Sequence, residues 1–312
     1  MIIIALMPKF ADALVEAILS KDAAICVGID PIIEQLPVAI AGPIEKRGSA
    51  SIERLTEWVY TFGSEVLKAV APVAPVVKLQ IAYFEQLGLL GLKAYSALMY
   101  DARELGLLTI GDVKRGDIGS TSEAYAAAHL HEQPDAEEEE SAAPDAITIN
   151  PMLGMDAIEP FVRTAADLDK GLFVLVRTSN PGSRDFQDVL LQDGRTWSEL
   201  VADTLAPVAA RPQLVGAHGY SSMGAVVGAT QTHTMTSIRQ RLPKSIFLLP
   251  GYGTQGATAE MTRAAFDAKG LGAIVSASRS VIYPKPATKR WIDDVACAAK
   301  AMASDINAIR KS

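Results

Sequence analysis

Apolar positions along the chain follow two alternating patterns. Short runs rich in branched residues read as buried strands: AAICVGID (23–30), PVVKLQIAYF (75–84), LLTIGDVK (107–114), AITIN (146–150), GLFVLVRT (171–178), AVVGAT (225–230), SIFLLPG (245–251) and LGAIVSAS (271–278). Between most of them lie stretches such as ERLTEWVYTFGSEVLKAV and ALMYDARELG, whose apolar residues recur at helical spacing. Eight strands alternating with helices predict a parallel sheet, and that number favours a closed (β/α)₈ TIM barrel over an open doubly wound sheet. Phe10, Leu14, Val15, Ile18 and Leu19 predict a leading helix over 9–20. LVGAHG (214–219) is the segment that competes as a ninth strand. Two connections are long. HEQPDAEEEESAAPD (131–145) is acidic and reads as a solvated loop, and 181–224 holds a helical turn around Trp197 to Leu205. Neither carries a second core, so residues 1–312 read as one barrel domain.

Composition narrows the class of partner. The chain has 312 residues, 49% of them apolar and 21% charged, which places it among globular proteins. A net charge of −7 and a pI near 5.2 argue against broad contact with nucleic acid or anionic membrane. An anionic partner must then be small and locally held. Cys26 and Cys297 stand far apart, which excludes a C-x-x-C motif and fits a reducing, cytoplasmic setting. The opening MIIIALMP has no basic n-region and predicts no targeting segment, and no apolar run is long enough for a membrane helix.

In a parallel barrel the chemistry gathers where strands end. Asp30, Lys78, Asp112, Lys114, Ser179, Gln255 and Arg279 fall at or just beyond predicted strand ends. Strand alternation puts Asp112 and Lys114 on one face, about 7 Å apart along the chain. Asp117 has the opposite parity and lies beyond Gly116, so strand geometry does not deliver it to the same cavity. Lys78 sits inside the apolar run VVKLQ, where an ammonium needs a carboxylate, and the aspartates of DVKRGD are its natural partners. A second cluster suits an anion. LPGYGTQGATAE follows the seventh run with three glycines, and SASRS follows the eighth with Arg279, the place where barrels commonly hold a phosphate. His129 and His131 flank the acidic loop and read as surface residues rather than metal ligands; His218 and His233 stand alone; Ser221 and Ser222 lack a nucleophile elbow. No cofactor or metal motif is present, so none is expected.

DVKRGDIGSTSEAYA resembles the D-x-K-x-x-D signature of orotidine 5′-phosphate decarboxylases, in the longer subfamily that carries K-R-G-D-I-G. The resemblance continues through CVGIDP, KLQIAYFEQLG, NPMLGMDAIEPF, RTSNPG, GAVVGAT, PGYGTQGA and SRSVIY, nearly the whole chain. It implies a TIM barrel that converts orotidine 5′-phosphate to UMP and CO₂, the last step of de novo UMP synthesis, without a cofactor. By the same resemblance Lys78, Asp112, Lys114 and Asp117 form an alternating charged tetrad in which Lys114 donates the proton. Asp117 and Thr121 would enter the neighbouring subunit's site in a homodimer. Asp30 would contact ribose, Ser179 the pyrimidine, and Gln255 with Arg279 the phosphate. Ser278 and Ser280 flank that arginine where glycine or other small residues are usual, and the acidic insertion is extra.

Competing readings remain within reach of the same residues. Metal-dependent synthases of the superfamily use a carboxylate near the second strand, where this chain has Lys78. A Schiff-base aldolase would use Lys78 or Lys114. A non-catalytic phosphate-ligand-binding barrel would have no need of so costly a charge cluster.

Overall fold

The structure, a computed structural model, describes residues 8–132, 142–286 and 290–312. Eight parallel strands close into a barrel in chain order: β1 (Ile25–Ile29), β2 (Val76–Gln80), β3 (Leu108–Arg115), β4 (Ala146–Ile149), β5 (Gly171–Arg177), β6 (Ser221–Val227), β7 (Ser245–Pro250) and β8 (Ala273–Ala277). Closure is made by β1 against β8, with Cys26 opposite Ser276. The open-sheet alternative is thereby excluded. Most strand residues are buried, as expected where one face lines the barrel and the other meets helices.

The main helices are α1 (Phe10–Lys21), α2 (Ile52–Val70), α3 (Gly88–Glu104), α4 (Gly119–Leu130), α5 (Met155–Asp167), α6 (Trp197–Ala209), α7 (Thr232–Arg241) and α8 (Trp291–Arg310). Helix α1 matches the predicted leading helix and buries Phe10, Leu14, Val15 and Ile18, whereas Leu19 faces solvent. The Phe10 ring packs edge-on against Phe173 of β5, at a centroid distance of 5.9 Å. It also fills the space a side chain on Gly171 would need, so α1 packs at the N-terminal end of β5, away from the strand ends that carry the charges.

Two boundaries differ from the sequence reading, at β6 and in the connection after β5, while the count of eight strands holds. β6 starts at Ser221 rather than at 225, because its serines find partners: Ser222 Oγ accepts the Ala11 N–H at 3.2 Å, and Ser221 Oγ accepts the Met223 N–H at 3.1 Å. LVGAHG is a turn, not a ninth strand. The Asp12 carboxylate accepts the N–H groups of Ala217 and His218 at 2.9 and 3.0 Å, in space left by Gly216, and so holds the turn against α1. The connection after β5 contains a full helix, α6, opened by a reciprocal capping box between Thr196 and Glu199.

Of the predicted acidic loop, 133–141 lies outside the described residues. Its end is not solvated: Ala142 and Ala143 are buried, and the Asp145 carboxylate accepts the Thr109 N–H at 2.7 Å. The glycine-rich segment after β7 leads into a 3₁₀ helix, Glu260–Ala265, in place of an α-helix. No helix among the described residues is long and apolar enough to cross a membrane.

Candidate active site

Barrel register decides which strand-end groups meet. Lys78 of β2 pairs across to Ile110, and Gln80 to Asp112 of β3. Asp112 becomes the hub. Its Oδ2 accepts from Lys78 Nζ at 2.7 Å and from Gln80 Nε2 at 3.0 Å. Its Oδ1 accepts from Lys114 Nζ and from Thr148 Oγ1, the latter at 2.9 Å. Lys78 and Asp112 are nearly inaccessible, at 7% and 6% exposure, while the Lys114 side chain is 44% exposed.

Burial would raise the Asp112 pKa, but the ammonium groups of Lys78 and Lys114 outweigh it and hold the carboxyl well below the usual range. Burial would likewise lower the Lys78 pKa, but Asp112 and Asp30 outweigh it and push it above the ordinary lysine value. Both groups are therefore charged at neutral pH.

Asp112 and Lys114 do meet, though not by regular alternation. The β3–β4 register shifts between Gly111 and Arg115, and Lys114 adopts a left-handed backbone with φ 46°. That conformation is costly for a residue with a side chain and is typical of functional positions. Two contacts hold it: the Lys114 N–H donates to Thr148 Oγ1 at 3.0 Å, and Gly116 lets the turn approach Asn150, where an added Cβ would lie 2.9 Å from the carbonyl oxygen. Arg115 pairs with Glu85, and its Nη1 donates to the Val113 carbonyl at 2.9 Å.

A cavity of about 120 Å³ lies beside this cluster. Asp30, Lys78, Tyr252, Gln255, Ser278 and Arg279 are among the residues that line it, so the glycine-rich loop and the arginine after β8 face the same space as Lys78. Asp30 Oδ1, Ser278 Oγ and Ser280 Oγ are buried without a hydrogen-bond partner among the described residues. Gly28 is required here. An added Cβ would sit 2.9 Å from Ser278 Cβ, at the edge of the cavity. Ser179 stands against the glycine-rich loop, its Cβ 3.5 Å from where a Cβ on Gly251 would be.

Asp117 and Thr121 are not among the residues that line this cavity. The Asp117 carboxylate accepts the Ile118 N–H at 2.8 Å, and Thr121 is exposed on the first turn of α4. His129 is half-buried rather than superficial; burial, and then Arg115, push its pKa down to about 4. Among the described residues no group of three or more His, Cys, Asp and Glu side chains is placed to hold a metal ion.

Gln80 and Thr148 escaped the sequence reading. Gln80 shares the parity of Lys78 two residues on, which is the signal that could have found it. Thr148 gives no signal of its own, because a threonine in a strand is ordinary.

Fold and site together define a (β/α)₈ barrel with a buried lysine–aspartate cluster beside an arginine-bearing pocket. Residues 25–290 match the model of the orotidine 5′-phosphate decarboxylase / HUMPS family, and the chain belongs to that family. An orotidine 5′-phosphate decarboxylase of Rhodopirellula baltica is 41% identical over 279 residues, 89% of each chain. One from Deinococcus radiodurans is 40% identical over 278 residues, 89% of this chain and 90% of the other. Among solved structures, a putative orotidine 5′-phosphate decarboxylase from Streptomyces avermitilis superposes with a TM-score of 0.79 at 30% identity, covering 98% of this chain and 97% of that one.

Proposed function

We propose that this chain decarboxylates orotidine 5′-phosphate to UMP and CO₂ in pyrimidine biosynthesis, as a member of the longer subfamily acting in the cytoplasm. The observation that carries the reading is the Asp112 carboxylate held ionised between Lys78 and Lys114, next to the pocket lined by Gln255 and Arg279. Relatives named for this activity, matching over nearly their full length, support it.

Cleavage of the C6–carboxylate bond leaves its electron pair on C6 without an adjacent π-acceptor. Lys114 stabilises that developing charge and then transfers its proton to C6. The partial exposure of its side chain lets solvent restore the proton. Asp112 near the substrate carboxylate adds repulsion that departs with CO₂, about 4 kcal/mol at 4 Å and an effective dielectric near 20. Transition-state stabilisation by Lys114 is the larger effect, because a preorganised ammonium needs no reorganisation as charge appears.

Lys78 anchors Asp112. Arg279 and Gln255 take the phosphate, Asp30 the ribose and Ser179 the pyrimidine. The orphaned Asp30 Oδ1 supports its place as an acceptor for a ligand hydroxyl. Phosphate binding energy then organises the loops around the base. Asp117 and Thr121 serve the neighbouring site of a homodimer. This is supported by the exposure of Thr121 and by exposed apolar side chains on adjoining loops, Ile118 at 57%, Met152 at 63% and Leu153 at 53%.

The test is direct. Purified protein mixed with orotidine 5′-phosphate should shift the ultraviolet absorbance from that of the substrate to that of UMP, with or without EDTA. Unchanged absorbance with the ligand bound would favour a binding barrel. Turnover lost in EDTA and restored by Mg²⁺ would favour a metal-dependent synthase.

A further inference from the structure

Arg177 ends β5 and is 2% exposed, among the largest fully buried side chains in the molecule. A guanidinium so placed must have its donors met or it destabilises the fold. All five N–H groups are used. Nε and Nη2 donate to Asp188 Oδ1 and Oδ2 at 2.8 and 2.9 Å, a bidentate pair. Nη1 donates to the Thr178 carbonyl at 2.7 Å and to Ser183 Oγ, and Nη2 donates also to Gln231 Oε1 at 3.0 Å.

Those acceptors come from the start of the connection after β5, at Thr178 and Ser183, from its middle, at Asp188, and from the residue that precedes α7. One side chain thus ties that loop to the loop after β6. Ser179 lies inside the tie. On one side of it the Thr178 N–H donates to Gln187 Oε1 at 2.7 Å, and on the other Ser183 N–H donates to the Asn180 carbonyl at 3.1 Å. Its backbone presses on Gly228, where an added Cβ would lie 2.8 Å from Ser179 Cα. Arg177 also sits at a register shift of β5 against β6, a feature that re-aims side chains at strand ends.

We propose that Arg177 is a positioning residue for the decarboxylation: gripped by Asp188, Ser183 and Gln231, it fixes Ser179 between Gly228 and Gly251, where Ser179 meets the base ring. The inference rests on the decarboxylase reading of the site. A lysine would not replace it, because an ammonium has three donors and no planar fork.

The experiment is a double-mutant cycle on the full chain, with kcat and KM measured for orotidine 5′-phosphate. Its members are wild type, Ser179→Ala, Asp188→Asn and the double variant. Asp188→Asn keeps shape but removes the charge of the bidentate pair. It should lower kcat/KM by about ten- to a hundredfold, the cost of displacing a contact near the reacting group by up to an ångström. Once Ser179→Ala has removed the hydroxyl, Asp188→Asn should cost nothing further, because there is nothing left to position. Losses that multiply in the double variant, as for a merely structural role, would overturn the proposal, and so would a Ser179→Ala variant with wild-type constants. If Asp188→Asn is recovered unfolded, Ser183→Ala takes its place in the cycle with the same two outcomes. A wild-type protein that leaves the substrate untouched would strike at the decarboxylase reading and the proposal with it. An active wild type with multiplying losses would strike at the positioning role alone.

Discussion

Asp112→Asn isolates the energetic centre of the site. The substitution keeps the shape of the side chain but removes the charge that compensates two ammonium groups, and it turns one acceptor oxygen into a donor facing other donors. Its largest consequence falls on Lys78, which is 7% exposed and pairs with Asp112 at 2.7 Å. Breaking a buried pair by removing one partner costs about 3–5 kcal/mol, because the remaining charge is stranded. The Lys114 pair adds little, since that side chain is 44% exposed and an exposed pair is worth at most about 1 kcal/mol. Of the hydrogen bonds from Gln80 and Thr148, which reach different oxygens, the one that meets the new amide nitrogen is lost in the same event and is not counted again. A total of about 4 kcal/mol, at about 2 °C per kcal/mol for a chain of this size, lowers Tm by about 8 °C.

The pH dependence carries its own sign. The Asp112 pKa is depressed in the folded state, so its contribution is fully present above the unfolded value and fades as pH falls toward the folded one. The Lys78 pKa is raised, so its contribution is present below the unfolded lysine value and fades only as pH climbs past it. Calorimetry of wild type and variant should therefore show a steady Tm gap at neutral pH that begins to narrow below about pH 4. A variant as stable as wild type at pH 7 would refute the reasoning, since the cluster would then be held against its own electrostatics by the rest of the fold.

Lys114→Ala should all but abolish turnover while shifting stability by no more than about 1 kcal/mol, because the side chain is partly exposed; turnover and a thermal melt together check it. Arg279→Ala should raise KM far more than the melt changes, as the guanidinium lines the cavity to which we assign the phosphate; steady-state kinetics decide. Thr148→Val removes a buried donor to Asp112 and the acceptor of the Lys114 N–H, and should cost about 1–3 kcal/mol in denaturant unfolding together with a fall in kcat. Mixing the inactive Lys114→Ala and Asp117→Ala proteins under subunit exchange should restore activity, since one site of each hybrid dimer would be wholly wild type. No recovery on mixing would return Asp117 to its own subunit's site.

Much of the site was legible because charge inside an apolar run demands explanation. Lys78 within VVKLQ needed a carboxylate, and the nearest strand-end aspartate, Asp112, is the one that meets it. Strand parity brings Lys114 to the side of Asp112, and the two meet, although the chain gets there through a left-handed residue and a register shift that alternation does not predict. Gln80 and Thr148 went unnoticed because a neutral polar side chain in a strand has no penalty that points to its partner. Arg177 was passed over within RTSNPG for a related reason: its five acceptors are scattered along the chain and converge only when the loop folds back over β5 and β6.

By itself the sequence determined the kind of architecture and the groups that required partners. Periodicity of apolar residues is a local property, and burial on both faces of a parallel strand leaves its mark in every run. Tertiary structure alone decided which partners were found. Strand register paired Gln80 with Asp112, barrel closure set Cys26 opposite Ser276, and the loops after β7 and β8 brought Gln255 and Arg279 into one cavity with Lys78. It also decided where strands begin, as at Ser221, whose neighbour Ser222 binds the leading helix far away in the chain. These are long-range choices. They depend on the sum of packing and hydrogen bonding over the closed barrel, and no short window of residues contains that sum.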